Sequence, residues 1–294
     1  MASTRHRHPR ESGNLWVPFV VFVLSGAFSC NASAEVVSAT HVYKTIGDIR
    51  LHLYLYQIPQ PATAPPRPAL VFFHGGGWRQ GSPKQFAPHC EYFASRGMVA
   101  MTVEYRLLEK NTETAVDCIT DARSAMRWAR ARAEELGIDP DRIAAGGGSA
   151  GGHLAACTAL ISALDDPTEE SSISADANAM VLFNPGLNVN RIKSKRNFGE
   201  NPERASPQHN IRPGAPPAIL MHGTDDKTVP FQEAVDFAEE MKRQGNRCDL
   251  IPYEGRGHGF FNYKDGEGKD YADTVRKVDE FLVSVGYLSG KPNE

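Results

Sequence analysis

The chain predicts an α/β fold: a mostly parallel central sheet that opens with an antiparallel hairpin and carries helices on both faces. Three observations lead there. Short apolar runs such as residues 69–73 and 179–183 read as strands buried on both faces. Amphipathic stretches alternate with those runs along the chain, as in βαβ units. The 294 residues, 41% hydrophobic and 23% charged, hold enough apolar material for one large core. A formal charge of -3 argues against a dedicated nucleic-acid binder, whose affinity would come from basic residues facing phosphate.

The start of the chain reads as a secretory signal. Arg5, Arg7 and Arg10 give a basic beginning, residues 15–28 form an apolar run, and Ala32-Ser33-Ala34 is an A-x-A site. Cleavage is expected after Ala34, which leaves residues 35–294 as a single domain, secreted or periplasmic, with no stable membrane insertion. The alternative is an uncleaved N-terminal anchor, although the run is short for a bilayer span.

In the body, residues 41–45 and 49–56 alternate around Gly47-Asp48, which predicts the hairpin. The proline-rich stretch 58–68 cannot join a ladder. Residues 69–73 are the next strand, 86–96 a helix, and 98–103 a strand. Residues 112–136 predict one long helix, with Ala115, Ile119, Ala122, Met126, Ala129 and Ala133 in a single stripe and Gly137 as its cap. Residues 138–141 turn the chain into a strand that ends at Ser149, and a helix follows to about residue 164. After the strand 179–183 comes an irregular stretch, 184–213. The strands 218–221 and 248–253 flank a helix over 231–244, and Tyr271, Val275, Val278, Leu282 and Val285 line a closing helix.

The chemistry gathers at the ends of these strands. Gly147-Gly148-Ser149-Ala150-Gly151 matches G-x-S-x-G between an apolar strand and a run of helix formers. A serine on such a turn is pushed out of the sheet, and its glycine neighbours leave room where strand and helix crowd. A phosphate loop would need G-K-[ST], which does not follow. A serine hydroxyl needs a base, and the base needs a carboxylate on its other nitrogen. His258, between two glycines, is the candidate base, and Asp225 or Asp226 the candidate acid. Both follow predicted strands, and open parallel sheets form their sites at the carboxyl ends of strands. His74-Gly75-Gly76-Gly77 offers bare amides to a developing oxyanion, with the Ala150 amide opposite at a helix start.

With these residues the chain resembles an α/β-hydrolase of the esterase/lipase type. It is similar to the hormone-sensitive-lipase-like esterases and, more closely, to the bacterial bifunctional feruloyl and acetylxylan esterase-like group. The runs that carry the resemblance are His74-Gly75-Gly76-Gly77-Trp78, Glu104-Tyr105-Arg106-Leu107, residues 137–143, residues 147–153, His222-Gly223-Thr224-Asp225-Asp226 and Gly257-His258-Gly259-Phe260-Phe261-Asn262. The resemblance implies Ser149 as nucleophile, His258 as base, Asp226 as acid, and Gly75, Gly76 and Ala150 as oxyanion donors. Hormone-sensitive-lipase-like esterases usually carry an acidic residue where this chain has Gly148, and Ala-Pro-Glu where it has Leu108-Glu109-Lys110. Both departures favour the feruloyl/acetylxylan-like group.

The expected function is a secreted serine carboxylesterase acting on a small-molecule or glycan acyl ester, with acetyl esters of polysaccharides as the natural class. Trp78 and the stretch 184–213 are candidates for the acyl or alcohol pocket, and the basic run from Arg191 to Arg196 for an acidic glycan. No metal or organic cofactor is implied. The alternatives are a kynurenine-formamidase-like amide hydrolase, which shares a His-Gly-Gly-x-Trp run, and a non-catalytic α/β-hydrolase binding protein. Cys90, Cys118, Cys157 and Cys248 are expected as buried thiols, in a compartment that would permit one disulfide.

Overall fold

The structure, a computed structural model, describes residues 35–192, 197–263 and 268–293. The expected secretory segment 1–34 lies outside the described residues, as do Lys193, Lys195 and Arg196 of the basic run. Among the described residues no helix is long and apolar enough to cross a membrane.

The hairpin forms from β1 (Val37–Ile46) and β2 (Ile49–Gln57), turning at Gly47 in the left-handed region, φ 55°. β1 is mostly exposed, as befits an edge. The remaining strands are β3 (Arg67–Phe73), β4 (Val99–Val103), β5 (Ile138–Gly148), β6 (Ala179–Phe183), β7 (Ala218–Gly223) and β8 (Cys248–Tyr253). They make one eight-stranded sheet in the order β1-β2-β4-β3-β5-β6-β7-β8, antiparallel at β1-β2 and β2-β4 and parallel elsewhere. β3, β4, β6 and β7 are buried throughout, which is why their sequences are largely apolar, with Arg67, Thr102 and His222 as the polar exceptions.

The pleat sends alternate residues of β3 to different cores. Ala69, Val71 and Phe73 pack with α2 (Ala115–Ala131), α4 (Ala150–Leu160) and α5 (Phe231–Arg243). Leu70 and Phe72 pack with α1 (Ala87–Ser95) and α6 (Lys269–Ser284) on the other face. Fully burying one such phenylalanine is worth about 1.5–3 kcal/mol, so this strand ties both layers to the sheet.

Four details depart from expectation. The helix expected over 112–136 starts at Ala115, capped by the Thr114 hydroxyl, which accepts from the Val116 amide. It then breaks at Arg132 (φ -108°, ψ 20°), and α3 (Ala133–Leu136) carries on to Gly137 at φ 64°. Ala133 and Leu136 are buried beside β5, so packing sets the new direction where three helix formers in a row give no cue. Residues 138–141, expected as a turn, begin β5: Ile138 pairs with Arg67, ahead of a register shift to the Ala69–Ile143 pair. The helix after Ser149 stops at Leu160, and a 3-10 turn, Ser162–Leu164, takes its last residues. The stretch 184–213 contains three 3-10 turns: Val189–Arg191, Pro202–Ala205 and Pro207–Asn210. Cys90, Cys118 and Cys157 are buried free thiols, and Cys248 is a half-buried one.

Candidate active site

Ser149 joins β5 to α4 with φ 56° and ψ -119°, a strained backbone for a residue with a side chain. The turn is too tight for larger neighbours. A Cβ at Gly151 would lie 1.9 Å from the Phe73 carbonyl oxygen. A Cβ at Gly148 would lie 2.3 Å from the Phe261 ring, so that ring leaves no room for a side chain there.

The three separated segments meet at this turn. His258 Nε2 lies 2.8 Å from Ser149 Oγ, and His258 Nδ1 lies 2.7 Å from Asp226 Oδ2. Of the two adjacent aspartates, Asp226 is buried and takes this position, whereas Asp225 is exposed. Asp226 Oδ1 accepts from the amides of Thr228 and Val229 at 2.8 and 3.0 Å, so both carboxylate oxygens are held. Burial alone would raise this carboxyl group's pKa. Hydrogen bonds from His222, His258 and the Val229 amide outweigh it and hold the group well below the usual carboxylate range. A hydroxyl held by an imidazole that is itself held by a carboxylate can give up its proton as it attacks a carbonyl carbon.

The glycine run after β3 is pinned atom by atom. The His74 carbonyl accepts from the Tyr105 hydroxyl at 2.7 Å. Burial lowers the His74 imidazole to about 4, so the ring is neutral, and its Nδ1 donates to the Gly75 carbonyl at 2.7 Å. The Gly75 amide, expected as an oxyanion donor, donates instead to Gln85 Oε1 at 2.7 Å and is therefore committed. The amides of Gly76, Gly77 and Ala150 donate to no group among the described residues, and all three residues border the space around Ser149. Gly77 shares the border of both cavities beside Ser149.

Two cavities flank Ser149. One, of about 300 Å³, is lined by Gly77, Trp78, Ala150, Val229 and Pro230, with Glu233 in its wall. The other, of about 310 Å³, is bordered by Gly75, Gly76, Gln80, Thr228, His258 and Asn262. Trp78 is both packed and cavity-lining. It is 4% exposed and packs edge-on against His153 and Phe198, and it lines the first cavity. From the stretch 184–213, Gly186, Arg191 and Ile192 reach that cavity, and Arg191 pairs with Asp236 at 2.7 Å.

The sequence reading missed the residues that brace this geometry. Asn184, buried at the end of β6 with φ 41°, donates to the His258 carbonyl at 2.7 Å and accepts from the Gly223 amide at 3.2 Å. His222, inside a quoted motif but given no role, lies 2.9 Å from the Val229 carbonyl and 3.3 Å from Asp226 Oδ2. A polar residue directly after an apolar strand is the only cue either carries.

The BD-FAE family model matches residues 53–204, more than half of the chain. The chain belongs to this family of α/β-hydrolase esterases. A prolyl oligopeptidase family model matches residues 183–284, the stretch that contains Asp226 and His258. Among solved structures, the native form of Thermogutta terrifontis esterase 2 is similar, with 48% identity and a TM-score of 0.81 over 87% of this chain and 95% of that one. The propionate-bound form gives 49% and 0.82 over 86% and 96%. Among curated proteins, a probable isoprenylcysteine alpha-carbonyl methylesterase of Arabidopsis thaliana is 30% identical over 71% of this chain and 48% of its own length. Esterase LipC of Mycobacterium tuberculosis is 28% identical over 66% and 53%. The chain spans about half the length of these curated members and nearly all of the Thermogutta esterase.

Proposed function

We propose that the protein is a serine carboxylesterase for short-chain acyl esters, with Ser149, His258 and Asp226 as its triad. The observation that carries the reading is the unbroken relay from Ser149 Oγ through both nitrogens of His258 to Asp226, at 2.8 and 2.7 Å. Ser149 Oγ attacks the ester carbonyl carbon while His258 Nε2 takes its proton. The amides of Gly76, Gly77 and Ala150 hold the oxyanion, and each such donor is typically worth about 3 kcal/mol in the transition state. Collapse breaks the bond to the alcohol oxygen, which leaves with the proton from His258. Water then gives a proton to His258 and attacks the acyl-serine carbonyl carbon. The second tetrahedral intermediate releases the acid, and Ser149 recovers its proton.

The protonated His258 must face the leaving alcohol, so the cavity bordered by His258 takes the alcohol and the one walled by Trp78 takes the acyl group. A largely apolar space of about 300 Å³, with Arg191, Lys227 and Glu233 also in its wall, suits a short acyl chain. Thermogutta terrifontis esterase 2 has been solved in propionate- and butyrate-bound forms, which supports the same length class. Acetyl esters of polysaccharides remain the natural substrate of this proposal, supported by the polar border of the alcohol side at Gln80 and Thr228. The non-catalytic reading is disfavoured by an intact relay.

The test is a panel of p-nitrophenyl esters from acetate to octanoate, together with acetylated xylan. The reading expects kcat/KM to peak at two to four carbons and acetate to be released from xylan. A wild type inert on every ester overturns it. The basic start and A-x-A site support a secretory leader over 1–34. N-terminal sequencing of exported protein tests it, with residue 35 expected first.

A further inference from the structure

We propose that Gln85 and Asn262 are positioning residues that lock the glycine loop and the histidine loop into one register. This rests on the serine-esterase reading and adds two residues to it. Three hydrogen bonds run in series. The Gly75 amide donates to Gln85 Oε1 at 2.7 Å, Gln85 Nε2 donates to Asn262 Oδ1 at 2.7 Å, and Asn262 Nδ2 donates to the Gly259 carbonyl at 3.0 Å. The amide orientations follow from the ends inward. A backbone N–H needs an oxygen opposite it, which leaves the Gln85 nitrogen for Asn262 and the Asn262 nitrogen for a carbonyl. Gly259 directly follows His258, so the series begins in the loop that offers the oxyanion amides and ends beside the base.

The glycine loop needs such an anchor. Gly76 sits at φ 116°, where a Cβ would meet the Gln80 carbonyl oxygen at 2.0 Å, so the backbone there is open to many conformations but built for one. Gln85 takes the N–H of the His74–Gly75 peptide while the Tyr105 hydroxyl takes its carbonyl, which fixes the peptide plane from both sides. His74 Nδ1 then fixes the Gly75 carbonyl. A trans peptide points its N–H opposite its carbonyl, so the Gly76 amide is turned away from His74. It is left for the cavity that Gly76 shares with Ser149 and His258.

The mount beneath the bridge is apolar and separate from it. Phe86 and Phe261, the neighbours of Gln85 and Asn262, are buried and stack with ring centroids 6.0 Å apart. Those rings hold the two segments together when the polar pair is removed. The bridge itself therefore serves alignment, and alignment of oxyanion donors is felt in the transition state rather than in substrate binding.

A double-mutant cycle tests this with Gln85→Met, Asn262→Leu and the pair, assayed on p-nitrophenyl butyrate alongside thermal melting. Each single change is expected to lower kcat about tenfold with KM within about twofold, and the pair to lower it hardly further, because either change breaks the same series. If Gln85→Met fails to fold, Gln85→Asn, one methylene too short to span both partners, takes its place. A double variant about a hundredfold down, or singles with unchanged kcat, in an enzyme whose wild type is active overturns the bridge and leaves the esterase reading standing. A wild type with no esterase activity overturns both.

Discussion

His222 Nε2 lies 3.3 Å from Asp226 Oδ2, the same oxygen that receives His258 Nδ1 at 2.7 Å. The ring is fully buried, and its Nε2 also sits 2.9 Å from the Val229 carbonyl, which can only accept, so Nε2 carries the proton. One strand-mounted imidazole thus fastens the acid and the turn that walls the acyl cavity at Val229. His222→Leu would leave the part-buried Val229 carbonyl without this partner, at a cost of about 1 kcal/mol, and let the carboxylate swing. His222→Gln, whose amide nitrogen reaches the imidazole Nε2 position, should retain most activity. Comparing kcat/KM and unfolding midpoints of the two variants checks this, and equal losses in both would refute it.

The depressed pKa of Asp226 makes a statement about acid stability. Burial opposes ionisation here, but the hydrogen bonds from His222, His258 and Val229 favour the charged form in the folded chain. The stability that it contributes is therefore full above its ordinary value of 3.8 and is lost as pH falls toward and through the lower folded value. Urea unfolding of wild type and Asp226→Asn at neutral pH, at about pH 4 and at about pH 3 should show a gap that narrows only in the last step. A gap that is constant across the series would contradict this.

Phe261 explains why Gly148 is not acidic in this chain. A Cβ there would stand 2.3 Å from the ring, so Gly148→Ala should cost about 1–3 kcal/mol by overpacking. Phe261→Leu in the same chain should recover part of that loss. Additive losses in the double variant, measured by denaturant unfolding, would place the strain elsewhere.

Trp78 lines the cavity that the proposed mechanism assigns to the acyl group. Trp78→Ala should cost about 3–5 kcal/mol, as removal of a buried aromatic does, and open the space beside Ala150. The ratio of kcat/KM for p-nitrophenyl octanoate over acetate should rise. An unchanged ratio in a folded variant would remove Trp78 from the acyl wall.

Much of this was legible in the residues because the parallel strands lie between two helical layers and have no choice but to be apolar. Residues 69–73 and 179–183 could be read directly, and with them the strand ends where Ser149, Asp226 and His258 lie. Spacing alone does not separate two adjacent aspartates; the family resemblance points to Asp226, and the fold buries that residue against His258 while leaving Asp225 exposed. The helix break at Arg132 left no trace among alanines and arginines. Nor could spacing reveal that Gln85 would claim the Gly75 amide, because the contact that completes it, with Asn262, spans 177 positions and joins two ordinary amides.

The most direct measurement is to treat the protein with a fluorophosphonate and locate the adduct by mass spectrometry, in wild type, Ser149→Ala and His258→Ala. The account predicts one phosphonyl group per chain, on Ser149, none in Ser149→Ala, and labelling slowed at least a hundredfold in His258→Ala, in line with loss of a general base. A label on another residue, or Ser149→Ala that still hydrolyses p-nitrophenyl butyrate at the wild-type rate, would contradict it.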